Sequence, residues 1–255
     1  MSVRAIPLQS GSSGNCVFVE AAGVRLLVDA GISGKQTALR LAEHGVDVRT
    51  IHAVLLTHDH VDHVMCAHVL QRKFGLPLYA TAGTWKVMRR TGRAFADARV
   101  FRAGERIRFG AVTVETIPTP HDGADGVIFV VDSGRVRTGV FTDLGHPFAE
   151  LGPAIESLDG VFLESNYDPE MLASSRYPES VQRRIAGPHG HLSNEESAAL
   201  LQRWGKRLKR ICLAHLSADT NTPRVATGTH RRLGRKGIPL QTAPRDRCGE
   251  PMSLG

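Results

Sequence analysis

A short segment in the first quarter of the chain carries four side chains that commonly bind divalent metal ions. Residues 57–63 read Thr-His-Asp-His-Val-Asp-His and include His58, His60, Asp62 and His63. Neutral imidazoles and a carboxylate suit zinc or manganese. In an extended turn, the side chains of His58, His60 and Asp62 alternate and could converge on one side. A His-rich polar loop is the alternative, but ligand-type residues at this density favour a metal site.

Metal sites draw ligands from more than one segment, so we searched the ends of the other predicted strands for partners. His121, Asp143 and His215 each follow or end a strand-like run. Functional loops gather at strand ends, which makes these three the best candidates. His121 stands beside prolines, where a structural role is the usual interpretation. Its place in an ordered set of ligand-type residues favours the metal instead.

The elements that must position these residues form two similar halves, each with strands first and helices after. This pattern predicts two mixed β-sheets packed face to face and flanked by helices, an αββα sandwich of class α/β. No linker or repeat divides the chain, so we expect a single domain over residues 1–255. The predicted strands are 3–9, 16–21, 25–29, 53–57, 107–109, 112–117, 126–131, 137–142, 160–164, 210–215 and 238–243, and the predicted helices cover 35–44, 64–74, 82–91 and a segment capped by Ser193.

Composition limits the class of protein and its partners. Lys and Arg number 32 against 25 Asp and Glu, a net charge of +7 that favours a polyanionic partner such as nucleic acid. A generally basic surface would give the same count. The four cysteines are scattered, so we predict neither disulfides nor a thiolate zinc site. No apolar run is long enough to cross a membrane and none near the N-terminus is typical of a secretory signal, so we expect a cytoplasmic protein.

Taken together, the residues resemble a known group of hydrolases. The order His-x-His-x-Asp-His, then His, then Asp, then His resembles the motif pattern of the metallo-β-lactamase superfamily and spans nearly the whole chain. Further segments are similar to its YycJ/WalJ-type members, whose implied activity is exonuclease cleavage of DNA from the 5′ end. These segments are 10–15 (SGSSGN), 29–31 (DAG), 164–168 (ESNYD), 176–178 (RYP), 190–194 (GHLSN) and 213–217 (LAHLS).

The resemblance also implies a role for each candidate residue of the site. Two divalent cations, Zn²⁺ or Mn²⁺, are the implied cofactors, and such a pair can activate a hydroxide for attack on a phosphodiester. The residues implied for the first metal are His58, His60 and His121, those for the second are Asp62, His63 and His215, and Asp143 bridges the two. Asp62 therefore counts among the catalytic residues as well as the ligands.

His191 is the other residue to which the resemblance implies a catalytic role. A histidine between the bridging Asp and the last ligand would contact the scissile phosphate or protonate the leaving oxygen. Capping of the helix that starts near Ser193 is the alternative role for His191. Asp29 and Glu164, both at strand ends, could accept hydrogen bonds from ligand imidazoles, although turn roles are equally compatible with their positions.

Five residues are candidates for substrate contact. Ser12, Ser13 and Asn15 lie in a glycine-flanked turn whose donors could face a phosphate, although a plain hairpin turn fits equally well. Arg176 and Tyr177 pair a cation with an aromatic ring, which could hold a terminal base. Two basic segments, one with Arg183 and Arg184 and one over residues 206–210, could contact phosphates or simply face solvent.

The predicted function is hydrolysis of a phosphodiester in nucleic acid, most specifically DNA from its 5′ end. Hydrolysis of a small cyclic phosphodiester by the same site is the main alternative. Thioester hydrolysis and a non-catalytic metal or nucleic-acid binding module fit less well, because the chain has no extra C-terminal helical domain and retains every candidate ligand. The sequence leaves the oligomeric state open.

Overall fold

The structure, a computed structural model, describes residues 2–255. Its first β-sheet has seven strands and combines an antiparallel edge with parallel strands. Short turns of two to six residues join β1, β2 and β3 and make them antiparallel, whereas helical crossovers lead into the parallel strands. From one edge to the other, the strands are β14 (Met252–Leu254), β1 (Val3–Gln9), β2 (Cys16–Ala21), β3 (Val24–Val28), β4 (Ala53–Leu55), β5 (Leu78–Thr81) and β6 (Ala98–Phe101).

The second sheet also has seven strands and is again mixed. Its first four strands form an antiparallel meander, and the last three run parallel to β10. As a result β8, β10, β11 and β12 all end at the same edge. In spatial order the strands are β13 (Leu240–Thr242), β12 (Arg210–Ala214), β11 (Gly160–Glu164), β10 (Arg137–Phe141), β9 (Val127–Asp132), β8 (Val112–Pro118) and β7 (Arg106–Phe109).

Helices cover the outer face of each sheet. Those packed on the first sheet are α1 (Gly34–Ala42), α3 (Ala67–Phe74) and α4 (Ala82–Arg89), with the short α2 (Val61–Val64) and a 3₁₀ turn (Val48–Thr50) between strands. The second half carries α5 (Leu151–Glu156), α6 (Pro169–Ala173), α7 (Glu179–Ile185), α8 (Asn194–Trp204) and α9 (Pro223–Leu233). Among residues 2–255, no helix has the length and hydropathy needed to cross a bilayer.

The pleat of each strand divides its side chains between two hydrophobic layers. In β9, Val127, Phe129 and Val131 point into the layer between the sheets, and Ile128 and Val130 point into the layer under the helices. Both faces of the strand are therefore buried, which explains its continuous apolar run. The predicted αββα sandwich is confirmed, with one core between the sheets and one under each helical layer.

The structure departs from the sequence prediction at several element ends. The strand predicted over 53–57 ends at Leu55 and the one over 210–215 ends at Ala214, because the residues beyond them turn into the site. The helix predicted over 64–74 is two helices, and the first already contains Asp62. Strands β6 and β14 and helices α5, α6, α7 and α9 were not predicted. The last strand of the chain is β14, whose three residues are extended because they pair with β1.

Candidate active site

Seven predicted ligands come together in the loops that follow four strands. The loop after β4 carries His58 and His60 and leads into α2, which carries Asp62 and His63. The loops after β8, β10 and β12 carry His121, Asp143 and His215, respectively. Since β8, β10 and β12 end at one edge of the second sheet, their loops lie together facing the loop after β4. The sandwich therefore brings to one place residues that are far apart in sequence.

The first group of donors consists of three imidazoles. One ring nitrogen from each of His58, His60 and His121 lies within 4.8 Å of the others. His121 Nε2 is 3.3 Å from His60 Nδ1, so these are the atoms that face the middle of the group. Three imidazole nitrogens at this separation match the ligand set of a zinc or manganese ion.

A second group lies beside the first and contains Asp62, His63 and His215, again with donor atoms within 4.8 Å of one another. Asp62 Oδ2 is 3.4 Å from both His63 Nε2 and His215 Nε2. Asp143 lies between the groups, because its carboxylate is 3.2 Å from His63 Nε2 and 3.5 Å from His121 Nε2. This position is the one expected for a carboxylate that bridges two metals.

Asp29 holds the rings on the side of the first sheet. Its carboxylate accepts hydrogen bonds from the Nδ1 of His63 at 2.8 Å and from the backbone N–H and hydroxyl of Thr57 at 2.8 and 2.9 Å. Because the Thr57 hydroxyl donates to Asp29, its oxygen can accept from Nδ1 of His58, which is 2.9 Å away. Because Nδ1 of His58 and Nδ1 of His63 are used in this way, Nε2 of each ring faces the interior of the site.

Glu164 has the same role on the side of the second sheet. The side chain is completely buried, and Oε1 lies 2.7 Å from Nδ1 of His191 and 3.2 Å from Nδ1 of His215. Its Oε2 accepts from the backbone N–H of Leu144 and Leu192. A metal could also be held by Asp143, Glu164, His191 and His215 on distance alone. Since both oxygens of Glu164 already accept from the protein, we interpret Glu164 as an orienting carboxylate.

Three residues of the site have left-handed backbone conformations that are uncommon outside glycine. The φ angles are 65° for Asp29, 60° for Asp143 and 55° for His215. Each residue directly follows or nearly follows a strand, so this conformation turns the chain sharply and aims the side chain into the site. Such strain typically persists where the surrounding structure enforces it and where it serves function.

The site concentrates negative charge among buried rings. Burial raises the pKa of Asp143, but the nearby rings of His215 and His63 lower it by more than burial raises it. The pKa of Asp143 therefore lies well below its usual range. Burial likewise raises the pKa of Glu164, while His191 and His215 lower it to about 2. Burial lowers the pKa of His215, but Asp143, Asp62 and Glu164 raise it to about 10. Protons on these rings therefore balance the carboxylates when no cation does so.

The donor set fits a pair of divalent cations. Among residues 2–255, one buried nitrogen of the site, His58 Nε2, has no hydrogen-bond partner. A buried polar atom without a partner is costly, and a bound cation would satisfy this atom. Burial lowers the pKa of His58 well below its usual range, which keeps the ring in the neutral form that binds metal.

Comparison with known proteins shows the family of the chain. The family described as "Beta-lactamase superfamily domain" matches residues 24–216. The chain belongs to this superfamily. Within it, the chain is 36% identical to the exodeoxyribonuclease YycJ of Bacillus anthracis, with 86% of this chain and 84% of that protein covered. It is 35% identical to the exodeoxyribonuclease WalJ of Streptococcus pneumoniae D39, with 86% and 83% covered.

A solved structure supports the fold assignment to the β-lactamase superfamily. The metallo-β-lactamase fold protein YhfI from Bacillus subtilis superimposes with a TM-score of 0.76 over 99% of both chains, at 15% identity. At that identity the likeness concerns the fold alone. It agrees with the two seven-stranded sheets and their helical layers described above.

The turn predicted to contact substrate divides into two kinds of residue in this β-lactamase-superfamily fold. Ser12 and Ser13 are exposed, whereas Asn15 is buried. The Asn15 amide nitrogen lies 3.1 Å from Asp62 Oδ2 and 3.0 Å from His63 Nε2. Asn15 is therefore placed to hold the ligands. Ser12 and Ser13 lie at the surface, but the Ser13 hydroxyl already donates to the carbonyl of Arg245 at 3.2 Å and accepts from the Gln9 amide at 3.1 Å.

Arg176 and Tyr177 line a cavity of about 520 Å³ together with Asp219. The Tyr177 hydroxyl donates to Asp219 at 2.6 Å, and Asp219 lies four residues after His215. This contact ties the cavity to the loop that carries a predicted ligand. The second basic segment does not line this cavity. Arg207 and Lys209 both pair with the buried carboxylate of Asp159, which directly precedes β11.

One residue of the site was missed by sequence reasoning. Asp122 directly follows His121, and its carboxylate lies 3.3 Å from His60 Nε2 and contacts Arg184 at 2.7 Å. A carboxylate adjacent to a predicted ligand was a usable signal. The arginine partner, 62 positions later, could be found only in the folded protein.

Proposed function

We propose that the protein is a single-domain, two-metal phosphodiester hydrolase. The assigned ligands are His58, His60 and His121 for one metal and Asp62, His63 and His215 for the other, with Asp143 bridging. The observation that carries the proposal is the pair of adjacent donor groups with one buried carboxylate between them. A binuclear centre needs a shared ligand to fix the separation of its ions, and Asp143 lies where such a ligand belongs.

When bound, two divalent cations would supply a hydroxide at neutral pH and neutralise charge on a phosphoryl oxygen. The protein's own part is to hold its donors rigidly. Asp29 and Glu164 fix ring orientation through the Nδ1 atoms, and Asn15 holds the Asp62 carboxylate. Because these partners are buried and each is hydrogen-bonded to a ligand, they hold the ligand side chains in position without substrate.

We assign His191 to protonation of the leaving oxygen. Its Nδ1 donates to Glu164 at 2.7 Å, which leaves Nε2 as the atom able to give a proton to substrate. The side chain is only partly buried, at 17% exposed, so part of the ring can be reached from solvent. His191 also lies two residues before the cap of α8, but that cap is made by Ser193 and Glu196, so His191 is free for another role.

We propose DNA, attacked from the 5′ end, as the substrate. The similarity to two exodeoxyribonucleases at 35–36% identity supports this class of substrate. The charge of +7 favours a polyanion, and the cavity beside Arg176 and Tyr177 offers a cation and an aromatic ring for a terminal nucleotide. We further propose Zn²⁺ or Mn²⁺ as the cofactor and the cytoplasm as the compartment.

The deciding experiment offers several substrates in parallel to protein loaded with zinc or with manganese. These are 5′-phosphorylated single- and double-stranded DNA, the same strands labelled at the 3′ end, RNA, a generic phosphodiester, a cyclic nucleotide and a thioester. We expect mononucleotides released from the 5′ end of DNA. Cleavage of the cyclic nucleotide alone would support the small-phosphodiester alternative and refute the nuclease assignment.

Variants test the two-metal mechanism separately from the substrate. Asp143→Asn should reduce the bound metal below two equivalents and lower turnover by at least ~10²-fold, because it removes the shared charged ligand. Asp97→Asn is a matched control, since Asp97 pairs with Arg99 on the surface. If Asp143→Asn kept both metal equivalents and full activity, the binuclear mechanism would be wrong.

A further inference from the structure

Asp122 differs from the predicted carboxylate ligands because one of its oxygens is held by an arginine. Oδ1 lies 3.3 Å from Nε2 of His60 and 3.4 Å from Nε2 of His121, and Oδ2 accepts from Arg184 at 2.8 Å through Nε and at 2.7 Å through a terminal nitrogen. The backbone N–H of Asp122 also donates to the carbonyl of His189 at 3.1 Å. The carboxylate is thus held in place from two sides.

His60 is the one predicted imidazole ligand whose ring is turned the other way round. His63, His121 and His215 use Nδ1 for an outer hydrogen bond, whereas His60 directs Nδ1 toward His121 Nε2 and leaves Nε2 on the outside. Its side chain is also 28% exposed, far more than that of His63. Packing alone therefore restrains this ring least, and Asp122 is the outer acceptor it faces.

Arg184 makes a two-point contact with Asp122, whereas its neighbour Arg183 does not. Arg183 pairs with Glu179 one helical turn earlier in α7, at 3.3 Å, and both side chains are more than 70% exposed. Both nitrogens of Arg184 donate to the same oxygen, Oδ2, so this charge-assisted contact anchors that oxygen and leaves Oδ1 to face His60. The two adjacent arginines therefore have different surroundings although they share a helix and a charge.

We propose that Asp122 is a positioning residue for His60 and that Arg184 acts through Asp122, so that this pair sets the affinity of the site formed by His58, His60 and His121. The inference rests on the proposed function, because it assigns a role within the same metal centre. It also separates Arg184 from the arginines that would contact a nucleic-acid phosphate directly.

The test measures metal affinity, with no substrate present. Metal-free protein is titrated with Zn²⁺ against a chelator of known affinity, which resolves the first and second equivalents. We expect Asp122→Ala to weaken one equivalent by about 10- to 100-fold and to leave the other within a few-fold, since outer partners of ligand histidines have effects of this size. Asp122→Asn keeps an acceptor oxygen without its charge and should fall between Asp122→Ala and the unaltered protein.

Arg184→Ala should weaken the same single equivalent by a smaller factor, because its side chain is 60% exposed and Asp122 itself remains. Arg183→Ala is the matched control, which removes an equal charge from the same helix and should leave both equivalents unchanged. A loss shared equally by both equivalents would mean general loosening of the fold and would overturn the assignment. Urea unfolding of each metal-free variant checks that the fold is retained.

Further outcomes separate this inference from the proposed function. If Asp122→Ala binds both equivalents as tightly as the unaltered protein, the positioning role is refuted while the metal centre stands. If Arg184→Ala and Arg183→Ala weaken DNA binding alike and change neither metal affinity, Arg184 is a phosphate contact and its proposed role is refuted. If the unaltered protein binds no metal, the proposed function fails first. Should Asp122→Ala not fold, the comparison of Arg184→Ala with Arg183→Ala decides the matter.

Discussion

Substitution of Gly31 by alanine is expected to displace a predicted metal ligand without altering any ligand side chain. A Cβ atom at Gly31 would lie 1.7 Å from the backbone oxygen of Asp62 and 2.6 Å from the backbone nitrogen of Asn15. Real Cβ contacts essentially never fall below 3.0 Å, so the backbone at Gly31 and the backbone at Asp62 must move apart by at least 1.3 Å. No side-chain rotation can relieve this clash, because the atoms involved belong to the main chain.

The size of the effect follows from what this displacement breaks. The N–H of Asn15 donates to Asp62 at 2.8 Å, and the N–H of Gly31 donates to Asn15 at 2.9 Å. Overpacking costs about 1 to 3 kcal/mol and each lost hydrogen bond about 1 kcal/mol, so unfolding should become easier by about 3 to 5 kcal/mol. Because Asp62 and His63 move with α2, the second metal equivalent should bind at least ~10²-fold more weakly.

The assay combines urea unfolding of the metal-free protein with zinc titration, and Gly228→Ala serves as the control. Gly228 lies in α9 with no atom within 4 Å of the added Cβ, so this variant should be stabilised by about 0.5 to 1 kcal/mol and should bind zinc normally. If Gly31→Ala matched the original protein within 0.5 kcal/mol and kept two tight equivalents, the packing of Gly31 against Asp62 would be refuted.

Three further predictions concern histidines. His191→Ala should lower turnover by about 10² to 10⁴-fold with two metals still bound. His52→Ala, on the surface near Arg25, is the control and should change neither turnover nor metal content. Unchanged turnover in His191→Ala would mean that His191 takes no part in the chemistry. Burial lowers the pKa of His230 to about 4, so between about pH 6.5 and pH 4 the unfolded chain binds a proton that the folded protein does not. The free energy of unfolding should therefore fall by about 3 kcal/mol as the pH drops over this range. Urea unfolding of His230→Gln should show a flatter pH dependence. Asp143 and its neighbours raise the pKa of His215 to about 10, so a metal ion must displace a proton from this ring to bind. Zinc affinity should therefore rise from about pH 6 to about pH 8. An affinity that fell over this range would contradict the assignment of His215 as a ligand.

Local chemistry made much of the site predictable. The dense cluster over residues 57–63 and the single ligand-type residues after three later strands were visible because strand ends and metal ligands have strong sequence signals. The strands of the sandwich were also largely predictable, since their apolar runs mark burial on both faces. The capping box at Ser193 and Glu196 fixed the start of α8 in the same local way.

Elements that depend on distant partners were not predictable. The strand Met252–Leu254 alternates in burial, but three residues are too few for that pattern to predict a strand, and the segment is extended because it pairs with the strand Val3–Gln9. The helix Val61–Val64 has too few residues to form without its neighbours, yet it sets the positions of Asp62 and His63. Helix α9 is the exception, because it has a local signal: Thr222 is its cap and Pro223 lies in its first turn.

The sequence by itself determined which residues could bind metal and that the chain forms two sheets with helices outside, because ligand chemistry and burial are properties of short segments. Only the tertiary structure decided how the donors are held. The bonds from Asp29 to His63, from Glu164 to His191 and His215, and from Arg184 through Asp122 to His60 join residues 27 to 62 positions apart. No local pattern encodes such pairings, since they exist only where the loops after different strands meet at one edge of the sandwich.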